Sequence, residues 1–167
     1  MRRRTTGEIP DGTEYHEEPL SSKDQTGRRM YAIVDQFYGD LRTATTDAGT
    51  PMSRLSMPAF FNFVKDIPYR RDEKPVEVLA RPAHILKFAR LGMDCKKKNS
   101  LMAAWCRAQN PPVPYRFIAS SSRDDKRVHH VFCQAMIDGK WTTMDPTYAW
   151  YKPGEVKEVT HAEVLSE

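Results

Sequence analysis

Asp138-Gly139 stands between two β-forming runs, Val128 to Ile137 and Lys140 to Asp145, and it constrains the second half of the chain more than any other feature. Two residues that tolerate positive φ, flanked by strand-forming residues, specify a tight antiparallel hairpin. With that turn Ile137 pairs with Lys140, and counting outward sets Phe132 opposite Asp145 and His130 opposite Thr147. Side chains alternate faces along a strand, so His130, Phe132 and Asp145 share one face while His129 and Cys133 point to the other. His130 and Asp145 become diagonal neighbours, roughly 7–8 Å apart at the backbone and within reach of a side-chain hydrogen bond.

A third residue joins them from upstream. Asp94 reads as the N-cap of a helix running to about Gln109, with Cys95 in its first turn and Leu101, Met102, Trp105 and Ala108 turned inward. The free N–H groups and the dipole of a helix start favour thiolate over thiol. A thiol at a helix start, a histidine on a strand and an acid on the next strand are the parts of an activated cysteine nucleophile, with Cys95, His130 and Asp145 in those roles. Lys96, Lys97 and Lys98 add positive charge, and their plain reading is a solvated face. Cys106 and Cys133 read as packed thiols. The cysteines lack paired-ligand spacing, so neither a metal nor another cofactor is called for.

Before this stretch the apolar residues Met30, Ile33, Val34, Phe37, Tyr38 and Leu41 give a helix over 28–41. Ser56 caps a second helix carrying Phe60, Phe61 and Val64, and Pro82 opens a third that Gly92 ends. Residues 67–72 form an extended link. Residues 1–27 hold hardly any apolar side chains and read as a flexible or docking arm, 28–151 as the domain, and 152–167 as a C-terminal tail. The predicted class is α+β, N-terminal helices packed on an antiparallel sheet.

With 26 basic against 22 acidic residues in 167, the net charge of +4 is too mild to imply nucleic-acid binding, and no groove-reading motif accompanies it. Three cysteines without disulfide spacing point to a reducing compartment. Arg2-Arg3-Arg4 is followed by no apolar stretch, so neither a signal peptide nor a membrane span is expected. These features place the protein inside a cell or in a particle.

The run Gly-Met-Asp-Cys-Lys-Lys-Lys-Asn-Ser-Leu-Met-Ala-Ala-Trp-Cys-Arg-Ala at 92–108 resembles the nucleophile helix of the transglutaminase-like cysteine peptidase superfamily. Pro112 to Ile118, His130-Val131-Phe132, Asp138 to Trp141 and Asp145-Pro146-Thr147 resemble its strands, and Ile67 to Asp72 resembles the lead-in of small stand-alone members, many of them carried by bacteriophages. The resemblance spans about 67–148. It implies a papain-like core with Cys95 as nucleophile, His130 as base and Asp145 as orienter, and a protein or peptide substrate. The backbone N–H of Cys95 and the side chain of Tyr69 are the candidate oxyanion donors. Two departures stand out: lysines follow the cysteine where relatives often carry acids, and Met-Asp-Cys replaces Gly-Asp-Cys. The expected activity is thioester-forming hydrolysis by a peptidase or amidase. The alternatives are amine cross-linking, or a non-catalytic phage particle component that keeps the fold and docks through the arm.

Overall fold

The computed structural model describes residues 15–19, 22–73, 76–124, 127–155 and 157–167. Arg2-Arg3-Arg4 lies outside them, and so does most of the arm to which docking was ascribed. Strand β1 (Tyr15–Pro19) pairs antiparallel with β2 (Val76–Ala80) in a two-stranded ribbon. Helix α1 (Lys23–Phe37) starts earlier than its apolar periodicity suggests, because Ser22 caps it by accepting the Gln25 N–H at 3.3 Å. It also stops earlier: the turn at Tyr38 and Gly39 separates it from the short α2 (Asp40–Thr43), so 28–41 is two helices. Then come α3 (Met57–Asp66), with Ser56 as cap and Pro58 in its first turn, and α4 (Pro82–Lys87). Gly92, at φ 81°, turns the chain where a Cβ would meet the Arg70 Cβ at 2.9 Å and the Pro68 carbonyl oxygen at 3.0 Å.

Helix α5 (Cys95–Ala108) lies at the centre, packed against α1 and α3 and against the sheet strand β4 (His130–Ile137). The main sheet has the order β5-β4-β3-β6, all pairs antiparallel, with β3 at Tyr115–Ser121, β5 at Lys140–Met144 and β6 at His161–Val164. The fold is therefore α+β, helices on an antiparallel sheet. Asp138 (φ 49°) and Gly139 (φ 74°) make the tight turn, and the ladder runs from Ile137↔Lys140 to Cys133↔Met144 in the counted register. Phe60, Phe61, Leu101, Met102, Phe117 and Cys133 are fully buried in the core between helices and sheet.

The stretch 152–167, expected as a tail, supplies β6 and a core residue. Leu165 is buried, donates its N–H to the Phe117 carbonyl at 2.9 Å, and lies so close to α1 that a Cβ on Gly27 would stand 3.0 Å from its Cβ. A four-residue edge strand with His161, Ala162 and Val164 exposed leaves little hydrophobic trace in sequence. No helix among the described residues is long and apolar enough to cross a membrane.

Candidate active site

Asp94 fixes the start of α5 by accepting the Lys97 N–H at 3.1 Å, which makes Cys95 the first helical residue. Tyr69 pairs with Met93 as a single parallel bridge, tying the 67–72 link to the segment that delivers the thiol. Cys95 is 9% exposed, whereas Cys106 and Cys133 have no exposure at all, so the three free thiols differ in access.

His130 opens β4, and its Nε2 lies 2.7 Å from Asp145 Oδ2. The Cys95 side chain lies close enough to act on the same ring. Burial works to lower the His130 pKa, but the hydrogen bonds and charges of Asp145 and Cys95 outweigh it and raise it to about 10. Asp145 is 1% exposed; burial works to raise its pKa, and the bond and charge of His130 hold it below the usual carboxylate value. The structure thus brings Cys95, His130 and Asp145 together, with His130 hydrogen-bonded to Asp145 and Cys95 beside its ring.

Sequence reasoning missed the residues that hold this line. Asn99, one helical turn after Cys95 and fully buried, directs Nδ2 at the carbonyls of Cys95 (2.9 Å) and Val131 (3.1 Å) and at Asp145 Oδ1 (3.2 Å), while its Oδ1 accepts the Cys133 N–H at 2.9 Å. Thr147 donates its N–H to Asp145 Oδ1 at 3.1 Å and its hydroxyl to the same oxygen. Lys157 Nζ stands 3.5 Å from Asp145 Oδ2 and 2.9 Å from the centroid of the Tyr151 ring. The i,i+4 spacing of Cys95 and Asn99 was a signal in the sequence; Lys157 left none.

The three lysines are not a solvated face. Lys97 pairs with Asp72 at 2.5 Å and Lys96 with Asp94 at 2.5 Å, while Lys98 is 1% exposed. Burial works to raise the Asp94 carboxyl, but the charges of Lys96 and Lys97 hold it below the usual range. The capping carboxylate beside Cys95 is thereby neutralised, and the helix start keeps its positive field. Lys98 Nζ donates to the carbonyls of Lys65 (3.1 Å), Pro146 (3.3 Å) and Thr147 (3.1 Å), and burial lowers its pKa to about 8.

Tyr69, proposed from sequence as an oxyanion donor, sits beside the thiol. Burial first, then the Cys95 charge and a hydrogen bond with Tyr148, push its hydroxyl up to about 12, so it stays protonated as a donor. Tyr148 packs against it, tilted by 43° at 5.0 Å between centroids, and stacks on Trp150 at 4.8 Å, making an aromatic wall at the mouth of the site.

The pKa of His130 predicts a pH signature in stability. A base whose folded pKa is raised stabilises the fold fully below its ordinary value near 6.5, and that contribution is lost as pH rises through about 10. Lys98 runs the opposite way, its burial cost being relieved above pH 8. Urea unfolding of the wild type against His130→Gln cancels the lysine, and the difference in stability is expected to shrink steadily between pH 6.5 and 10. A difference that is flat over that range would contradict the charged pair.

No protein-family model and no curated protein matches the chain. Among solved structures it is similar to a proposed cysteine protease from Cytophaga hutchinsonii, at 14% identity and a TM-score of 0.42, over 77% of this chain and 39% of that one. The chain spans well under half of that protein's length, and a likeness this distant assigns no chemistry.

Proposed function

We propose that the protein is a thiol-dependent hydrolase of amide bonds, a peptidase or amidase of transglutaminase-like type, working through a thioester on Cys95. One observation supports the reading: the His130 imidazole is hydrogen-bonded to the buried Asp145 carboxylate and lies beside the Cys95 side chain. In this scheme the His130 imidazolium already holds the thiol proton, the Cys95 thiolate attacks the amide carbon, and the Cys95 N–H and Tyr69 hydroxyl stabilise the oxyanion. The C–N bond then breaks, the amine leaving with the proton from His130. Water, deprotonated by His130, cleaves the thioester and restores the thiol. An amine in place of water would turn the same intermediate to cross-linking. The placement among small phage-type members rests on the sequence resemblance.

The test is acylation by p-nitrophenyl acetate followed by mass spectrometry. Wild type is expected to gain one acetyl group on Cys95 that disappears on standing, and Cys95→Ala none at that position. Acetylation confined to surface lysines would overturn the reading and leave a binding module, a particle component among the options. Added primary amine separates the two fates of the thioester.

A further inference from the structure

A cleft of about 230 Å³ opens beside His130, between the aromatic wall and the segment after β3. Tyr69 and His130 line it on the side of the thiol, and Arg71, Arg123, Lys157 and Glu158 supply its charges. Three cations against one carboxylate leave it positive. Among the described residues, no carboxylate pairs with Arg71 or Arg123. Lys157 Nζ is buried with no hydrogen-bond acceptor, its nearest carboxylate oxygen being Asp145 Oδ2 at 3.5 Å.

The Arg123 segment is anchored rather than loose. Its carbonyl accepts from Ser121 Oγ at 3.1 Å and from Thr160 Oγ1 at 2.7 Å, and its N–H donates to Ser121 Oγ at 3.1 Å. Bonds from the end of β3 and from Thr160 just before β6 therefore hold the Arg123 backbone at the rim, with its side chain exposed. Two exposed guanidinium groups around a buried ammonium match a carboxylate, which accepts two parallel N–H bonds from an arginine. A phenol and a stacked tyrosine beside it supply apolar cover.

We propose that this cleft is a substrate subsite for a carboxylate, so that the enzyme acts on amides of peptides carrying an acidic group next to the reacting bond. The proposal rests on the thiol-hydrolase reading, with Arg71, Arg123 and Lys157 as specificity residues.

Iodoacetate and iodoacetamide differ by a charge at nearly equal size, and both alkylate Cys95 without any substrate being known. The ratio of their rates, anion over amide, is expected to exceed that of a free small thiol by about tenfold. The positive field of the whole site raises that ratio too, so the variants decide. Arg71→Gln with Arg123→Gln is expected to bring the ratio down severalfold, and Arg123→Lys to keep most of it. A ratio untouched by the double variant, with Cys95 still reacting rapidly, overturns the subsite and spares the hydrolase. If Cys95 reacts with neither reagent, the hydrolase reading falls. The subsite is then decided on Cys95→Ala by isothermal titration calorimetry, where N-acetylglutamate is expected to bind better than the uncharged N-acetylglutamine amide. Equal or absent binding of the two overturns it.

Discussion

Replacing His130 with alanine is expected to slow acylation of Cys95 by about 100-fold or more, the usual contribution of a positioned acid–base group. The imidazole lies beside Cys95 and its Nε2 is engaged by Asp145 at 2.7 Å, which leaves the other nitrogen for the reaction. Its ring is half-buried, stacked 5.9 Å from Phe132 and 6.5 Å from Tyr148, so truncation opens a slot at the surface rather than a hole in the core. Asp145 keeps Thr147, Asn99 and Lys157 as partners, and the variant is expected to fold. Free imidazole, entering that slot, should restore part of the rate. Measured kcat/KM on p-nitrophenyl acetate, with and without imidazole, separates a chemical loss from a structural one. A loss below about threefold would mean that His130 takes no part in the reaction.

Asn99→Ala is expected to destabilise the protein by about 3–5 kcal/mol. The side chain is fully buried and satisfies the Cys133 N–H of β4, the Cys95 and Val131 carbonyls and the Asp145 carboxylate at once. Alanine leaves the Cys133 N–H without its partner and removes a donor from Asp145 and the Val131 carbonyl in the buried seam between α5 and the sheet, and a buried orphan costs about 1–3 kcal/mol. Asn99→Asp should fare no better, because it places a second carboxylate against Asp145 where an N–H now donates at 3.2 Å. Urea midpoints report the stability, and the rate of Cys95 alkylation reports whether the thiol has drifted from His130. A cost below about 1 kcal/mol would show that water takes over the role of the amide.

How far the sequence reveals this arrangement depends on the range of the interactions. The hairpin register was readable because it hangs on two residues, Asp138 and Gly139, and on strict alternation. The Asp94 and Ser56 caps were readable for the same local reason. What escaped depends on partners far along the chain. Lys97 meets Asp72, Lys98 meets the carbonyls after β5, and Lys157 meets Asp145, and in each case the charge pattern alone says solvent. Strand β6 escaped because its stabilisation comes from pairing with β3 and from Leu165 against α1, not from its own composition. The line of Cys95, His130 and Asp145 was legible, whereas the residues that hold it in place were not.

The acceptors of Lys98 have a temporal side. One carbonyl, that of Lys65, is made before the lysine; the other two, Pro146 and Thr147, are made well after it. On the ribosome the ammonium must wait in water until the hairpin emerges, and α5 cannot seal against its neighbours before then, because an ammonium without acceptors resists burial. Cys95 waits with it, synthesised ahead of both His130 and Asp145. In a nascent chain Cys95 thus stands without these neighbours, and the same closing step that hides the lysine brings His130 and Asp145 up to it.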